Sequence, residues 1–320
     1  MSRHLLAVLG ACAATGLGCS RVTPPKVSPD PEAARIVTED IPRFWAAFDR
    51  MTSINDTVAL RAGYLNPGTQ GLKDFTDARW KNARTLTAMV WPLRAYYASI
   101  RANSLGVQTS EPKFRKVFRD LAALYSDAVF PDVYFAIGGM STGGTTSSHG
   151  LLIGTEMFSR APDSPISTLS PWGQSVVQSI DLLPSIVAHE LTHYQQNYST
   201  RVSTLLAQSI REGSADFVEQ LLTGRTFNDS LRAWGDAHEA AVWHEFSAQM
   251  RGADLSQWLY NGGSVKATST RPADLGYYVG YKITAAYFAR QPDKRQALRD
   301  ILRIGDFNAF LKASGYGVGL

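Results

Sequence analysis

The segment DLLPSIVAHELTHYQQN, residues 181–197, decides which fold and chemistry are expected of this 320-residue chain. Its apolar residues recur at the three- and four-residue spacing of a helix, a proline stands in the first turn, and Asp181 is expected to cap the N-terminus. The middle of this predicted helix carries the pattern H-E-x-x-H, formed by His189, Glu190 and His193. Histidines four residues apart share a helical face, so both imidazoles can reach one metal ion while the glutamate reaches a water bound to it.

A catalytic zinc site uses three protein ligands and leaves one position for water, so a third ligand is expected downstream. Residues 205–222 form an apolar, helix-like run that Gly224 is placed to end. Glu212 lies in this run, nineteen residues after His193, which is enough chain to bring a second helix alongside the first. Glu212 is therefore the candidate third ligand. Asp216 shares its helical face and is the candidate partner for the far nitrogen of a ligating histidine.

These residues resemble the gluzincin metallopeptidases, whose pattern is H-E-x-x-H followed by a glutamate on a later helix, often as E-x-x-x-D. The strings HELTH and EGSADF are also similar to a family of predicted bacterial zinc-dependent proteases that includes gliding-motility-type lipoproteins. In that family the resemblance would cover about residues 130–288. It implies Zn2+ held by His189, His193 and Glu212, with Glu190 as general base in the hydrolysis of a peptide or protein substrate.

The same resemblance implies a side chain that stabilises the oxyanion formed during hydrolysis. The stretch Tyr277-Tyr278-Val279-Gly280 resembles the Y-x-x-G of the aminopeptidase branch, so Tyr277 is the expected hydrogen-bond donor. Tyr278 and Tyr281 remain alternatives, and simple packing of a buried helix is a further explanation of these tyrosines.

Two strands are predicted upstream of the histidines. Residues 132–137 and 151–158 have strand character, and a glycine-rich turn, residues 138–150, separates them. This hairpin is the candidate for the edge strand that pairs with an extended substrate. The G-x-M-E-N motif of aminopeptidases is absent, since Glu156 in Gly154-Thr155-Glu156-Met157 is only a partial match, and this argues against aminopeptidase specificity.

The N-terminus has the character of a targeting segment. A short basic start and an apolar stretch lead to Leu17-Gly18-Cys19, which resembles a bacterial lipobox and predicts a membrane anchor at Cys19. Cys12 is a less suitable alternative, and a plain secretory signal is the other possibility. The expected location is the cell envelope, as a periplasm-facing lipoprotein, or the exterior. Both cysteines lie in this segment, so the folded body is expected to contain neither a disulfide nor a cysteine nucleophile.

The net charge of +4 comes without any cluster of Lys and Arg, which argues against nucleic-acid binding. The predicted organisation is a signal and lipobox in residues 1–19, a Pro-rich tether in 20–35, a helical region in 36–128 and a zincin-like metallopeptidase region with a helical C-terminal part in 129–320. The expected fold is α+β, a small mixed sheet packed on an active-site helix within a mostly helical body.

Two alternative functions stay open: a non-catalytic envelope lipoprotein that uses this fold for binding or assembly, and a zinc amidase acting on cell-wall peptide. The substrate and the oligomeric state do not follow from the sequence.

Overall fold

The structure is a computed structural model that describes residues 27–264 and 270–320. The predicted signal segment, Cys19 and the first part of the predicted tether lie outside the described residues. The α-helices are α1 (Asp40–Phe48), α2 (Thr57–Leu60), α3 (Gln70–Phe75), α4 (Ala83–Val90), α5 (Arg94–Leu105), α6 (Glu111–Leu124), α7 (Pro171–Val176), α8 (Leu183–Gln195), α9 (Leu205–Thr223), α10 (Asp229–Ala237), α11 (Glu239–Gln249), α12 (Leu275–Arg290), α13 (Lys294–Leu302) and α14 (Phe307–Ser314). Among the described helices, none combines the length and the apolar character needed to cross a membrane.

Four strands form one mixed sheet within the described ranges. They are β1 (Ile36–Val37), β2 (Asp132–Ala136), β3 (Gly144–Ser147) and β4 (Gly150–Gly154). Their order is β1-β2-β4-β3, in which β2 is parallel to both β1 and β4 while β3 is antiparallel to β4. The predicted α+β class, with a small mixed sheet in a mostly helical body, is therefore confirmed.

The predicted hairpin between residues 132–137 and 151–158 is wrong, because β2 and β4 pair in parallel, with Val133 opposite Leu151. Both strands are buried along nearly their whole length, as expected of parallel strands covered on both faces. The actual hairpin joins β4 to β3, which lies inside the predicted glycine-rich turn. Its sequence, GTTS, lacks the large apolar residues that mark a strand. Residues Thr155–Phe158 form a 3-10 turn and do not extend β4.

The start of the described chain also differs from the prediction. Ile36–Val37 is a strand, whereas the sequence predicts helix from residue 36 onward. The last part of the predicted tether packs on the body, since Ser28 pairs with Phe130 and Ala34 is buried. Arg35 binds the Asp132 carboxylate through its backbone and its guanidinium. The described end of the tether is therefore part of the folded body.

Two clusters of buried apolar side chains lie side by side. The first joins the N-terminal helices, the sheet and α8, and it includes the predicted stripe of Phe44, Trp45, Phe48 and Met51. The second joins α9, α11, α12, α13 and α14. Phe217 of α9 packs against both clusters. Helix α9 thus lies at the boundary between them, with α8 on one side and α12 on the other.

The two helices that carry the candidate ligands match their predicted positions closely. Helix α8 covers Leu183–Gln195 and has Pro184 in its first turn, as predicted. The prediction that Asp181 caps it is wrong: a 3-10 turn, Ile180–Leu182, precedes the helix, and the Asp181 carboxylate lies 3.5 Å from the Lys113 ammonium instead. Helix α9 ends at Thr223 and is capped by Gly224, whose φ of 69° gives the left-handed cap that glycine adopts without strain.

Candidate metal centre

His189, His193 and Glu212 meet between α8 and α9. The Nε2 atom of His193 lies 3.0 Å from Nε2 of His189 and 3.1 Å from Oε2 of Glu212. The remaining distance, from Nε2 of His189 to Oε2 of Glu212, is 3.7 Å. All three side chains are almost completely buried. Two imidazole nitrogens and a carboxylate oxygen therefore converge on one point.

The outer nitrogen of His189 faces a carboxylate. Oδ1 of Asp216 lies 2.9 Å from Nδ1 of His189, and Oδ2 of Asp216 accepts a hydrogen bond of 2.8 Å from the amide of Asn228. Asp216 thus lies where the sequence predicts it, behind the histidine and away from the converging atoms. Asn228, which follows α9, is a supporting residue that sequence reasoning missed.

The outer nitrogen of His193 is held by an amide. Nδ1 of His193 lies 2.9 Å from Oε1 of Gln196, while the Gln196 amide nitrogen donates to the backbone oxygen of Arg211 and to Ser214 on α9. With Nδ1 as donor to that oxygen, Nε2 carries the free lone pair that a metal requires. Gln196 lies only three residues after His193, so helical spacing was a signal that could have identified it.

Glu212 uses its two oxygens differently. Oε2 faces the imidazoles, whereas Oε1 accepts a hydrogen bond of 2.6 Å from the Tyr260 hydroxyl. Sequence reasoning missed Tyr260, because it lies 48 residues from Glu212 and outside any motif. The Arg211 guanidinium also approaches Oε1, at 3.8 Å.

The charges at this point shift the pKa values of the candidate ligands. Burial alone would lower the pKa of His189, but the Asp216 and Glu212 carboxylates outweigh it and raise that pKa well above its usual value. Burial alone would raise the pKa of Glu212, but the imidazoles of His193 and His189 outweigh it and lower that pKa well below its usual value. Both shifts favour an ionised Glu212 carboxylate beside a protonated His189, and a metal ion bound at this point would have to displace the His189 proton.

Glu190 lies between the histidine pair and the edge of the sheet. A Cβ on Gly144 would lie 2.6 Å from Cγ of Glu190, so the edge strand β3 passes directly against this side chain. Burial raises the pKa of Glu190, and the neighbouring imidazoles of His193 and His189 oppose that rise. The glycine at position 144 allows the strand and the carboxylate to approach this closely. The strand beside the centre is thus β3, not the predicted pair of strands.

The three candidate tyrosines differ in position. The Tyr277 ring stacks against His189 with centroids 6.3 Å apart, so Tyr277 lies at the centre. The Tyr278 hydroxyl donates to Asp236, and the Tyr281 hydroxyl donates to Gln220. The hydroxyls of Tyr278 and Tyr281 thus bond away from the histidines, whereas the Tyr277 ring lies against His189. The role of Tyr277 as donor to an oxyanion stays a prediction.

Glu156, the partial match to the aminopeptidase glutamate, serves the backbone instead. Its carboxylate accepts hydrogen bonds from the backbone N–H groups of Gly138, at 2.8 Å, and Met140, at 3.1 Å. Burial raises its pKa to about 7, although those N–H groups oppose the rise. Its two oxygens are used to fix the start of the glycine-rich segment that leads into β3.

The donor set fits a zinc ion. Ligand atoms about 2.1 Å from a tetrahedral zinc lie about 3.4 Å from one another, and the three distances here are close to that value. A second group of possible ligands, His189, Asp216 and Glu219, shares His189 with the first. In this second group, Asp216 faces Nδ1 of His189, the nitrogen that points away from the first group, and Glu219 accepts a hydrogen bond from the Phe227 backbone.

Two helices that bring two imidazoles and a carboxylate together, beside a small mixed sheet, define an α+β protein with a candidate metal centre. Residues 29–318 match the family model described as gliding motility protein GldB, so the chain belongs to that family. The name of the family model marks its members as lipoproteins, which indicates association with the membrane at the cell envelope. No curated protein and no solved structure matches the chain.

Proposed function

We propose that this protein is a zinc-dependent peptidase with a zincin-like fold of gluzincin type, carried at the cell envelope. The observation that carries the proposal is the convergence of His189, His193 and Glu212 with Glu190 beside them. When bound, zinc would lower the pKa of a water to about 7 and polarise the scissile carbonyl.

Glu190 acts as the general base in this proposal. Its buried carboxylate takes the proton of the attacking water and passes it to the leaving amine. The position of Glu190 supports this role, because its carboxylate lies between the histidine pair and the edge strand, within reach of the side on which a substrate would bind. General acid–base assistance of this kind is worth about 10²–10⁴-fold in rate.

Two further elements complete the proposed mechanism. The Tyr277 hydroxyl donates a hydrogen bond to the oxyanion, a contact that can be worth about 3–4 kcal/mol in the transition state. The edge strand β3 pairs with β4 on one side only, so an extended peptide can add along its outer edge in this proposal. Glu156 is occupied by backbone amides, so it offers no carboxylate for a substrate amine, and the proposal is for cleavage that does not depend on a free N-terminus.

Anchoring through a lipid on Cys19, on the periplasmic side of a membrane or outside the cell, is part of the proposal. It is supported by the Leu17-Gly18-Cys19 sequence and by the lipoprotein family. Cys19→Ser is expected to release the protein from the membrane fraction, whereas the matched variant Cys12→Ser is expected to stay there. Retention of the Cys19 variant on the membrane would contradict the anchor.

Membership of the gliding motility family also supports a second candidate function, a non-catalytic envelope lipoprotein that uses the same fold for binding or assembly. A zinc amidase that acts on cell-wall peptide is the variant of the enzymatic proposal that an envelope location favours. The three differ in whether an amide is cleaved and, if so, in which amide it is.

The test is zinc content and peptide hydrolysis of the purified protein, with cell-wall peptides among the substrates. We expect one zinc per chain in the wild type, loss of zinc in His193→Ala, and retained zinc with hydrolysis reduced about 10²–10⁴-fold in Glu190→Gln. Bound zinc without hydrolysis of any peptide would favour the non-catalytic function. Absence of zinc from well-folded wild type, after metal is added back, would overturn the proposal.

A further inference from the structure

We propose that Tyr260 is a positioning residue for the metal centre: its hydroxyl holds the outer oxygen of Glu212, so that the inner oxygen alone is presented to the metal. This inference rests on the proposed function in one respect, the role of Glu212 as a ligand. It adds a residue that neither the H-E-x-x-H pattern nor the downstream glutamate motif contains.

The carboxylate of Glu212 is divided between two environments. Oε2 lies 3.1 Å from His193 Nε2, on the side where the imidazoles converge. Oε1 points the other way and accepts the Tyr260 hydroxyl at 2.6 Å, the length of a strong hydrogen bond to an ionised acceptor. Because each oxygen has its own partner, the carboxylate plane has one preferred rotation.

The backbone around Tyr260 holds the hydroxyl in this place. Tyr260 itself has a φ of 57°, a left-handed conformation that tyrosine adopts only when its surroundings impose it. On one side, Trp258 is completely buried and its backbone oxygen accepts the N–H of Gly276. On the other side, Asn261 and Asp274 exchange two hydrogen bonds, each from a backbone N–H to the other residue's side chain.

Core packing does not account for this conformation, since Tyr260 is 58% exposed. Its ring touches Tyr277 edge-on, with centroids 6.3 Å apart, and its hydroxyl has the Glu212 oxygen as partner. An exposed aromatic residue in a strained conformation contributes little to folding by burial. The hydrogen bond to Glu212 is the contact that this conformation makes possible.

The hydrogen bond from Tyr260 affects how many Glu212 oxygens bind the metal and how tightly the metal is held. A catalytic zinc site needs one position free for water, and a glutamate that turned both oxygens toward the metal would occupy it. A hydrogen bond to the outer oxygen prevents that rotation and orders the ligand before the metal binds. Loss of such a supporting contact typically weakens metal binding about 10–100-fold.

The test compares Tyr260→Phe with Tyr287→Phe in the full protein. Both substitutions remove one hydroxyl bound to a carboxylate and keep the ring, and the Tyr287 hydroxyl donates to Asp300, away from the centre. The zinc dissociation constant is measured by competition with a chelator. We expect it to rise about 10–100-fold in Tyr260→Phe and to stay unchanged in Tyr287→Phe. Equal affinity in wild type and Tyr260→Phe would overturn the inference.

The outcomes separate this inference from the proposed function. Wild type that binds no zinc overturns both. If wild type and Tyr260→Phe bind zinc equally but the variant hydrolyses peptides slowly, the positioning role alone is overturned. Tyr260 is then a catalytic donor. Thermal unfolding of the metal-free proteins checks the fold. Equal stability of wild type and Tyr260→Phe, with weaker zinc binding in the variant, supports the inference. A loss of both stability and zinc affinity in Tyr260→Phe marks a structural residue and overturns the inference.

Discussion

Glu156 resembles a substrate-binding residue in the sequence, but in the fold its carboxylate binds backbone N–H groups. Its position resembles that of an amine-holding glutamate, yet both oxygens accept backbone N–H groups of the segment before β3. The residue is completely buried, and tyrosine hydroxyls fasten the same region from the other side, since Tyr96 donates to the backbone oxygen of Glu156 and Tyr97 to that of Gly138. Glu156 therefore fixes the path of the chain into the edge strand.

Its raised pKa predicts a pH dependence of stability. Burial raises the pKa of Glu156 from 4.5 to about 7, so between these values the folded chain keeps a proton that the unfolded chain has lost. The free energy of unfolding therefore falls as pH rises through this window, by about 2–3 kcal/mol between pH 5 and pH 8. Denaturant unfolding of wild type and Glu156→Gln at both pH values measures this, because the difference between the two proteins isolates the one carboxyl. A difference that does not change with pH would contradict the prediction.

At the residue scale, sequence periodicity predicts those side chains whose partners lie on the same helix or the next one. His189, His193, Glu212 and Asp216 meet as the spacing suggests because α8 and α9 are consecutive and antiparallel neighbours. Tyr260 could not be predicted in this way. Its approach to Glu212 depends on a left-handed backbone and on hydrogen bonds between residues far apart in the chain, and neither leaves a pattern in the sequence.

At the scale of elements, the close contact of α9 with α12 determines where Glu212 lies. Two glycines face each other across this contact. A Cβ on Gly213 would overlap the backbone at Gly280 and Tyr281, and a Cβ on Gly280 would overlap the backbone oxygen of Ser209. Because Gly213 directly follows Glu212, the packing of these backbones sets the position of the candidate ligand.

Gly280→Ala is therefore expected to force α9 and α12 apart. The overlap is with backbone rather than with the end of a flexible side chain, so we expect a loss of about 3 kcal/mol in the free energy of unfolding, at the upper end of the usual cost of overpacking. Urea unfolding measures the loss. Gly263→Ala is the control, since its added Cβ would meet nothing within 4 Å, and it is expected to change stability by less than about 0.5 kcal/mol. Equal stability of the two variants would contradict this view of the helix contact.

The elements differ in how well the sequence predicts them. Helix α9 ends at Thr223, directly before the glycine cap that the sequence indicates, and α8 begins next to Pro184. Strand pairing is less predictable because it joins segments far apart in sequence: β2 pairs with β4 in parallel, and the short polar strand β3 takes the edge position. A glycine-rich segment indicates a turn on local grounds. Its pairing with β4, from Gly144 opposite Ile153 to Ser147 opposite Gly150, is what makes part of this one a strand.

At the scale of the whole molecule, the candidate metal centre lies where the two apolar clusters meet. Helix α8 belongs to the first cluster through Leu183, Val187 and Leu191. Helix α9 is divided, since Val218 and Leu222 pack in the first cluster whereas Leu206 and Ile210 pack in the second. The α+β class followed from the sequence of elements, but this division did not, because one helical stripe does not reveal which partner each of its turns will meet.

Because the candidate metal centre lies between the two apolar clusters, we expect bound zinc to stabilise the whole fold and not only its own ligands. An ion held by His189 and His193 on one helix and Glu212 on the other would connect the two clusters, and it would bind the unfolded chain weakly because Glu212 is distant in sequence. At a free zinc concentration about 100 times the dissociation constant, the free energy of unfolding is expected to rise by about 2.7 kcal/mol. Thermal unfolding with and without zinc should show this increase in wild type and in Glu190→Gln, whose ligands are intact, but not in His193→Ala. The same increase in stability in His193→Ala would mean that zinc binds elsewhere. If zinc does not increase the stability of wild type, the ion does not hold α8 and α9 together.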